Sequence, residues 1–245
     1  MRVRLALLVL ASSACLGTPT AAVAEPRAVV ELFTSQGCSS CPAADKLLGE
    51  LVKDPSIVAM SVPIDYWDYL GWKDTLASPT HTARQRAYAK IRGDRQVYTP
   101  QVVINGSLHV LGSDKAAIER AIATTRRSTK AMSVPVTLSL AGDKLTVTLP
   151  EQKDEPARAE VWLCTISRSV PVSIARGENR GRTVTYHNVA RRWQKLGDWT
   201  GKAATFTVPL ADIKTAQGDT AAILVQSGSA ESPSTTLGAA MASLP

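Results

Sequence analysis

The chain has 245 residues, of which 44% are hydrophobic and 20% charged, and a formal net charge of +7. That length suits one large domain or two small ones. The positive charge is spread along the sequence, the basic pairs Arg126-Arg127 and Arg191-Arg192 are short, and only 5% of residues are aromatic. A solvated basic surface explains this better than a nucleic-acid interface, which would gather its cations and stacking rings on one face.

At the N-terminus, Arg2 and Arg4 precede an apolar run from Leu5 to Leu10, and Ala22-Val23-Ala24 closes the segment with small residues. This is the pattern of a secretory signal over residues 1–24, cleaved before Glu25, and it implies export to the periplasm or beyond. A membrane-spanning helix needs roughly 20 apolar residues, and Ser12, Ser13, Gly17 and Pro19 interrupt this run. Cys15 is a conceivable lipid acceptor, but Ser12 stands where such a signal normally carries an aliphatic residue. No second long apolar run follows, so no stable membrane insertion is expected after cleavage.

Three cysteines then remain. Structural disulfides usually serve small exported domains and come in even numbers, so the close pair Cys38 and Cys41 reads as chemical. Cys164 lies in the apolar run Ala159–Ile166 and reads as a buried thiol.

The β-favouring run Val29–Phe33 leads into Gly37-Cys38-Ser39-Ser40-Cys41-Pro42, and an amphipathic helix with Ala44, Leu47, Leu48 and Leu51 follows. Two sulfurs are thus expected at a strand-to-helix turn, with Cys38 near the helix N-terminus, where free N–H groups favour a thiolate. A second buried strand is expected over Ser56–Ile64. Strand, helix and strand at this spacing predict a right-handed parallel crossover. The string Asp65-Tyr66-Trp67-Asp68-Tyr69-Leu70-Gly71-Trp72 would then lie on the sheet edge that carries Cys38, where ligands usually bind. Tyr66 and Trp67 serve there either as the rim of a site or as packing.

Residues 82–92 read as a polar helix. Val97–Ile104 reads as a strand introduced by Thr99-Pro100, and Asn105-Gly106 marks a hairpin turn returning over Ser107–Leu111. Asp114 can cap a final helix carrying Ile118 and Ile122. Beyond a boundary near residues 128–133, alternating runs at 134–140, 144–149, 159–166, 170–174, 183–189, 203–208 and 221–226 predict an all-β, sandwich-like half over residues 133–245.

The order of elements over Arg27–Arg127 resembles the thioredoxin fold, which makes residues 25–128 an α/β domain with a helical insertion. The strings Val30–Pro42, Asp65–Asp74 and Tyr98-Thr99-Pro100-Gln101 are similar to a secreted bacterial thioredoxin-like family of unknown function. The resemblance implies a redox-active Cys38–Cys41 disulfide, a cis Pro100, and main-chain pairing of Thr99 with a peptide substrate. It also implies a carboxylate that moves the proton of the resolving cysteine, for which Glu31 and Asp65 are the candidates; a strand-edge Glu31 paired with a basic neighbour is the alternative. Pro63 departs from the pattern, because a histidine is expected there.

The mechanism so implied has Cys38 attacking a disulfide and Cys41 resolving the mixed disulfide, with protein or small-molecule thiols as partners and no cofactor. Two other readings stay open. The same cysteines suit Cu(I), although no residue set is assigned to a metal. The β half, with Trp193 and Trp199, can alternatively serve binding to an envelope component.

Overall fold

Strand β1 (Ala28–Thr34) is buried along its whole length, which requires cover on both faces. Ala28, Val30 and Leu32 pack on one face under helices α1 (Pro42–Leu51) and α3 (Lys115–Ser128). Val29 and Phe33 point to the other face, beneath Tyr88 of helix α2 (Pro79–Arg92). The protein is described from a computed structural model over residues 25–94, 96–128, 130–153, 158–214 and 217–245. The expected signal segment, residues 1–24, lies outside these residues.

Strand β2 (Ile57–Pro63) runs parallel to β1, from Ala28 opposite Ile57 to Thr34 opposite Pro63. On the other side of β1, strand β3 (Gln101–Ile104) is antiparallel and continues into β4 (Leu108–Leu111). Asn105 and Gly106 make the turn with φ of 47° and 69°, the positive-φ pair a tight hairpin needs.

After α3 come β5 (Thr137–Ala141), β6 (Lys144–Leu149), β7 (Ala159–Ser173), β8 (Thr183–Trp199), β9 (Ala204–Pro209), the short α4 (Leu210–Ile213), β10 (Thr220–Ser229) and β11 (Ser232–Ser243). Strands β7, β8, β10 and β11 do not form a separate sheet. The order β11-β10-β7-β8-β2-β1-β3-β4 is one eight-stranded sheet running through both halves of the chain. The junction is local: Ser61 pairs with Val189, the Ser61 hydroxyl donates to the His187 carbonyl at 2.9 Å, and Asn188 donates to the Ala59 carbonyl at 2.9 Å. The expected division into an α/β domain and an independent β half is therefore not reproduced by the strand pairing. The protein is a mixed α/β structure built on one large sheet.

Face-to-face sheet packing does occur in the C-terminal half. The three-stranded sheet β5-β6-β9 stacks on the large sheet through Leu145, Val147 and Leu149 against Val161, Leu163, Ile223 and Val225. Three strands exceed their sequence signals, since the runs expected at 159–166 and 170–174 form the single strand β7. The expected 183–189 run extends to Trp199, and β11 occupies a tail of small residues whose Leu237 and Ala239 are buried. No helix among the described residues is long and apolar enough to cross a membrane.

Candidate functional site

β1 ends at Thr34 and the chain turns twice before α1. The Cys38 amide donates to the Ser35 carbonyl at 3.1 Å, and the Cys41 amide to the Cys38 carbonyl at 3.2 Å. Cys41 occupies the N-cap of α1 and Pro42 its first position, where a fixed φ and a missing N–H cost nothing. The helix therefore starts at Pro42, and Cys38 lies about one turn before it, at the positive end of the helix. Cys38 and Cys41 are joined in a disulfide. Cys38 is 5% exposed and Cys41 fully buried, while Ser39 and Ser40 between them face solvent. The Ser40 hydroxyl lies 3.4 Å from the Cys38 sulfur.

The turn is held from beneath by Glu178 and Asn179, which the sequence did not single out, and by Trp72 and Asp74 from the string that it placed on this edge. Buried Asn179, in the loop joining β7 to β8, donates its side-chain amide to the carbonyls of Gln36 at 3.0 Å and Cys38 at 2.8 Å. Glu178 accepts from the Ser39 amide at 3.3 Å. Asp74 accepts from the Gln36 amide at 2.8 Å, and Trp72 donates its indole N–H to the Gln36 side chain at 2.8 Å. Asn179 sits in Gly177-Glu178-Asn179-Arg180-Gly181, whose composition reads only as a generic turn.

Trp67 lies on the rim of this turn, and Tyr66 packs beside it with ring centroids 5.8 Å apart while its hydroxyl donates to Gln85 at 3.2 Å. Trp67 donates its indole N–H to the Thr99 hydroxyl at 2.8 Å, and a Cβ added at Gly37 would come within 3.2 Å of Trp67. Trp67 thus spans the space between the cysteine turn and the Thr99–Pro100 segment, whose peptide bond is cis. The Pro100 ring and the Ala44 methyl both approach Gly112, where an added Cβ would meet them at 3.1 and 3.2 Å. Pro100 therefore stands beside the first turn of α1. Tyr69 is 77% exposed and stacks on Trp67 with centroids 6.1 Å apart.

Of the two carboxylates expected to serve Cys41, Glu31 is turned away from it. Glu31 is fully buried on the α2 face of the sheet, opposite α1. There Arg84 donates to it at 2.6 and 3.0 Å and the Tyr88 hydroxyl at 2.6 Å. Strand alternation decides this, because Glu31 points with Val29 and Phe33 rather than with Leu32. Asp65 accepts from the Thr82 hydroxyl at 2.5 Å, at the start of α2.

A third buried acid, Asp45, follows Cys41 by one helical turn and is 1% exposed. Burial, reinforced by the charge of Asp74, pushes its carboxyl up to about 8, although the Thr34 hydroxyl opposes this. Asp74 itself is pushed up to about 6, mainly by burial.

Cys164 is a free buried thiol whose pKa is pushed up by burial. Trp199 is buried and donates to the Lys202 carbonyl. Trp193 lies under the Arg84 guanidinium, 4.5 Å from its ring centroid. Among the described residues no group of three or more His, Cys, Asp or Glu side chains converges as metal ligands.

Comparison with known proteins fits this architecture. No curated protein matches the chain. The solved structure of protein AGR_C_4864 from Agrobacterium tumefaciens is similar at 32% identity and a TM-score of 0.79, covering 89% of this chain and 94% of that one. HBP35 of Porphyromonas gingivalis shares the fold with a TM-score of 0.59 at 12% identity, over 90% of this chain and 76% of that one. The family described as "Protein of unknown function (DUF1223)" matches residues 29–226, which include the cysteine turn, Trp67, Thr99, Pro100 and Asn179. The chain belongs to the DUF1223 family.

Proposed function

We propose that the protein is an exported thiol–disulfide oxidoreductase of thioredoxin-like design, acting through Cys38 and Cys41 on proteins or small thiols. One observation carries this reading: the bonded pair lies in the turn between β1 and α1, at the carboxyl edge of the parallel β1/β2 pair, beside the segment Thr99–Pro100. Loops at that edge are where α/β sheets take their ligands. The exposed Ser39-Ser40 link lets a partner reach the Cys38 side of the pair, while Cys41 stays dry.

In the reduced protein, the Cys38 thiolate attacks a substrate disulfide and expels one substrate sulfur as a thiolate. The Cys41 sulfur then attacks Cys38, closes the Cys38–Cys41 bond and expels the second substrate sulfur. Two electrons pass to the substrate in that direction and to the protein in reverse, as the partner's potential dictates. Thr99 offers its main chain to an extended peptide, with Tyr66 and Trp67 forming the wall beside it. Strands β7, β8, β10 and β11 extend the sheet, and the β7–β8 loop supports the turn through Asn179. An oxidising compartment suits such a pair, and residues 1–24 supply the export signal.

The test is covalent trapping. Cys41→Ala should accumulate a mixed disulfide on Cys38, seen by intact mass, and Cys38→Ala should form none. If neither variant exchanges and the reduced wild type instead holds one Cu(I) between the two sulfurs, the carrier reading replaces this one. Mature protein should begin at Glu25 without lipid.

A further inference from the structure

Between α2 and the large sheet lies a cavity of about 520 Å³ that disulfide exchange does not use. It is on the α2 face of the sheet, whereas α1 and the cysteine turn belong to the other face. Helix residues from Thr80 to Lys90 form one wall, about 15 Å of helix. Ala83 and Ala87 are four residues apart and share a face of that helix, and their methyl groups leave the wall open. The sheet contributes Trp162 from β7 and Trp193 from β8, both half-buried, and the β10–β11 turn contributes Ala230 and Glu231.

Arg84 makes this more than an apolar crevice. Its side chain is only 10% exposed, yet it lines the cavity. Nε and Nη2 are committed to Glu31, Tyr88 and Gln226, and Nη1 has no hydrogen-bond partner among the described residues. The guanidinium carbon lies 4.5 Å from the Trp193 ring centroid, so the unused donor sits beside an aromatic face. The Trp193 indole N–H is itself buried without a partner. A wall built for packing alone would favour Phe or Leu, which bury no donor. A wide indole ring suits a stacked ligand.

The surrounding charge selects the ligand's sign. Arg86 and Lys90 are exposed beside the cavity and enter no ion pair among the described residues. Glu31 neutralises Arg84. Glu231 is the acid of the lining, and it accepts from the Ser229 hydroxyl at 2.9 Å. Two unpaired cations against one acid leave an excess of positive charge.

We infer that this cavity is a second binding site, for a small organic anion with a flat apolar body and one acidic head. The body stacks against Trp162 and Trp193 and lies along Ala83 and Ala87. The carboxylate or sulfonate head accepts from Arg84 Nη1, and Arg86 and Lys90 add attraction at the rim. Small-molecule sites of roughly 300–1,000 Å³ have this make-up, aromatic walls with a few placed polar groups. The inference stands independently of the oxidoreductase reading.

The experiment titrates the disulfide-bonded protein with anilinonaphthalenesulfonate and, in parallel, with uncharged phenylnaphthylamine, which has the same rings. Probe fluorescence reads binding. The anion should occupy one site and bind at least about ten-fold more tightly than the uncharged probe, which lacks the charged hydrogen bond. Ala87→Trp fills the cavity and should abolish anion binding at concentrations that saturate the wild type. Arg86→Glu combined with Lys90→Glu should weaken the anion about ten-fold and leave the uncharged probe unaffected.

Equal affinity for the two probes overturns the inference, as does anion binding that Ala87→Trp leaves unchanged. If Ala87→Trp does not fold, an anion affinity unmoved by the paired Glu substitutions overturns it.

Discussion

Trp67 and Thr99 are joined by a 2.8 Å hydrogen bond from indole to hydroxyl, so the loop after β2 and the segment before β3 form one wall beside the cysteine turn. The bond ties together two stretches separated by 32 residues, and Gly37 lies against the same indole-bearing residue. Access to Cys38 is thereby shaped by both loops at once.

Replacing Trp67 with Phe keeps an aromatic ring and removes that bond, which is worth about 1 kcal/mol. For a peptide disulfide, kcat/KM should fall about five-fold, mostly through KM. A small aromatic disulfide, which needs less of the wall, should show a smaller drop. Steady-state kinetics on the two substrates check this.

Glu31→Gln should act on stability rather than on exchange. It leaves Arg84 buried without its carboxylate, and breaking such a pair costs about 3–5 kcal/mol. Denaturant unfolding should show that loss, while folded protein should keep the exchange rate of the wild type, because Glu31 lies on the opposite sheet face from α1.

The contrast between Glu31 and Asp45 shows how far the sequence reaches. The Cys38–Cys41 turn, the β1–α1–β2 unit and the Asn105-Gly106 hairpin are legible because each is local: period, cap and turn chemistry lie within a few residues. Glu31 stands out as a lone charge in an apolar strand, but its direction depends on which helix covers which face. Asp45 is visible as an acid four residues after Cys41, yet its isolation appears only once β8 and the loop at Asp74 close over it. Asn179 meets Cys38 across 141 residues, and nothing local in Gly-Glu-Asn-Arg-Gly announces that partner. The merging of the two halves into one sheet escapes for the same reason. It depends on the β2–β8 contact at Ser61 and Val189, where no pattern within either strand names the other.

Asn179→Ala should loosen the cysteine turn. It removes two side-chain donors and leaves the carbonyls of Gln36 and Cys38 without them, a cost of about 2 kcal/mol. Hydrogen exchange over residues 36–41 should accelerate, and reduction of the disulfide by a small dithiol should be faster than in the wild type. Both are read by mass spectrometry.

The buried acids set a pH dependence of stability. Asp45 and Asp74 have folded-state pKa values raised to about 8 and about 6 from 3.8. Each contributes most below the unfolded value and loses its contribution as pH rises through the folded one. Asp45→Asn should therefore gain stability relative to wild type as pH rises from about 4 to about 8, then level off. His81 acts in the opposite sense. Burial lowers its pKa to about 4 from 6.5, so its contribution is lost as pH falls through that window. Thermal unfolding of wild type and Asp45→Asn across the range separates the two.

The most direct measurement is the pH dependence of alkylation of the reduced protein, with Cys38, Cys41 and Cys164 each followed by mass spectrometry. The expected result is that Cys38 reacts first, with a thiol pKa below the free value of about 8.5, while Cys41 lags and Cys164 stays unmodified until the protein unfolds. Faster reaction of Cys41 or Cys164, or a Cys38 that titrates like a free thiol, would contradict the assignment of Cys38 as the attacking sulfur.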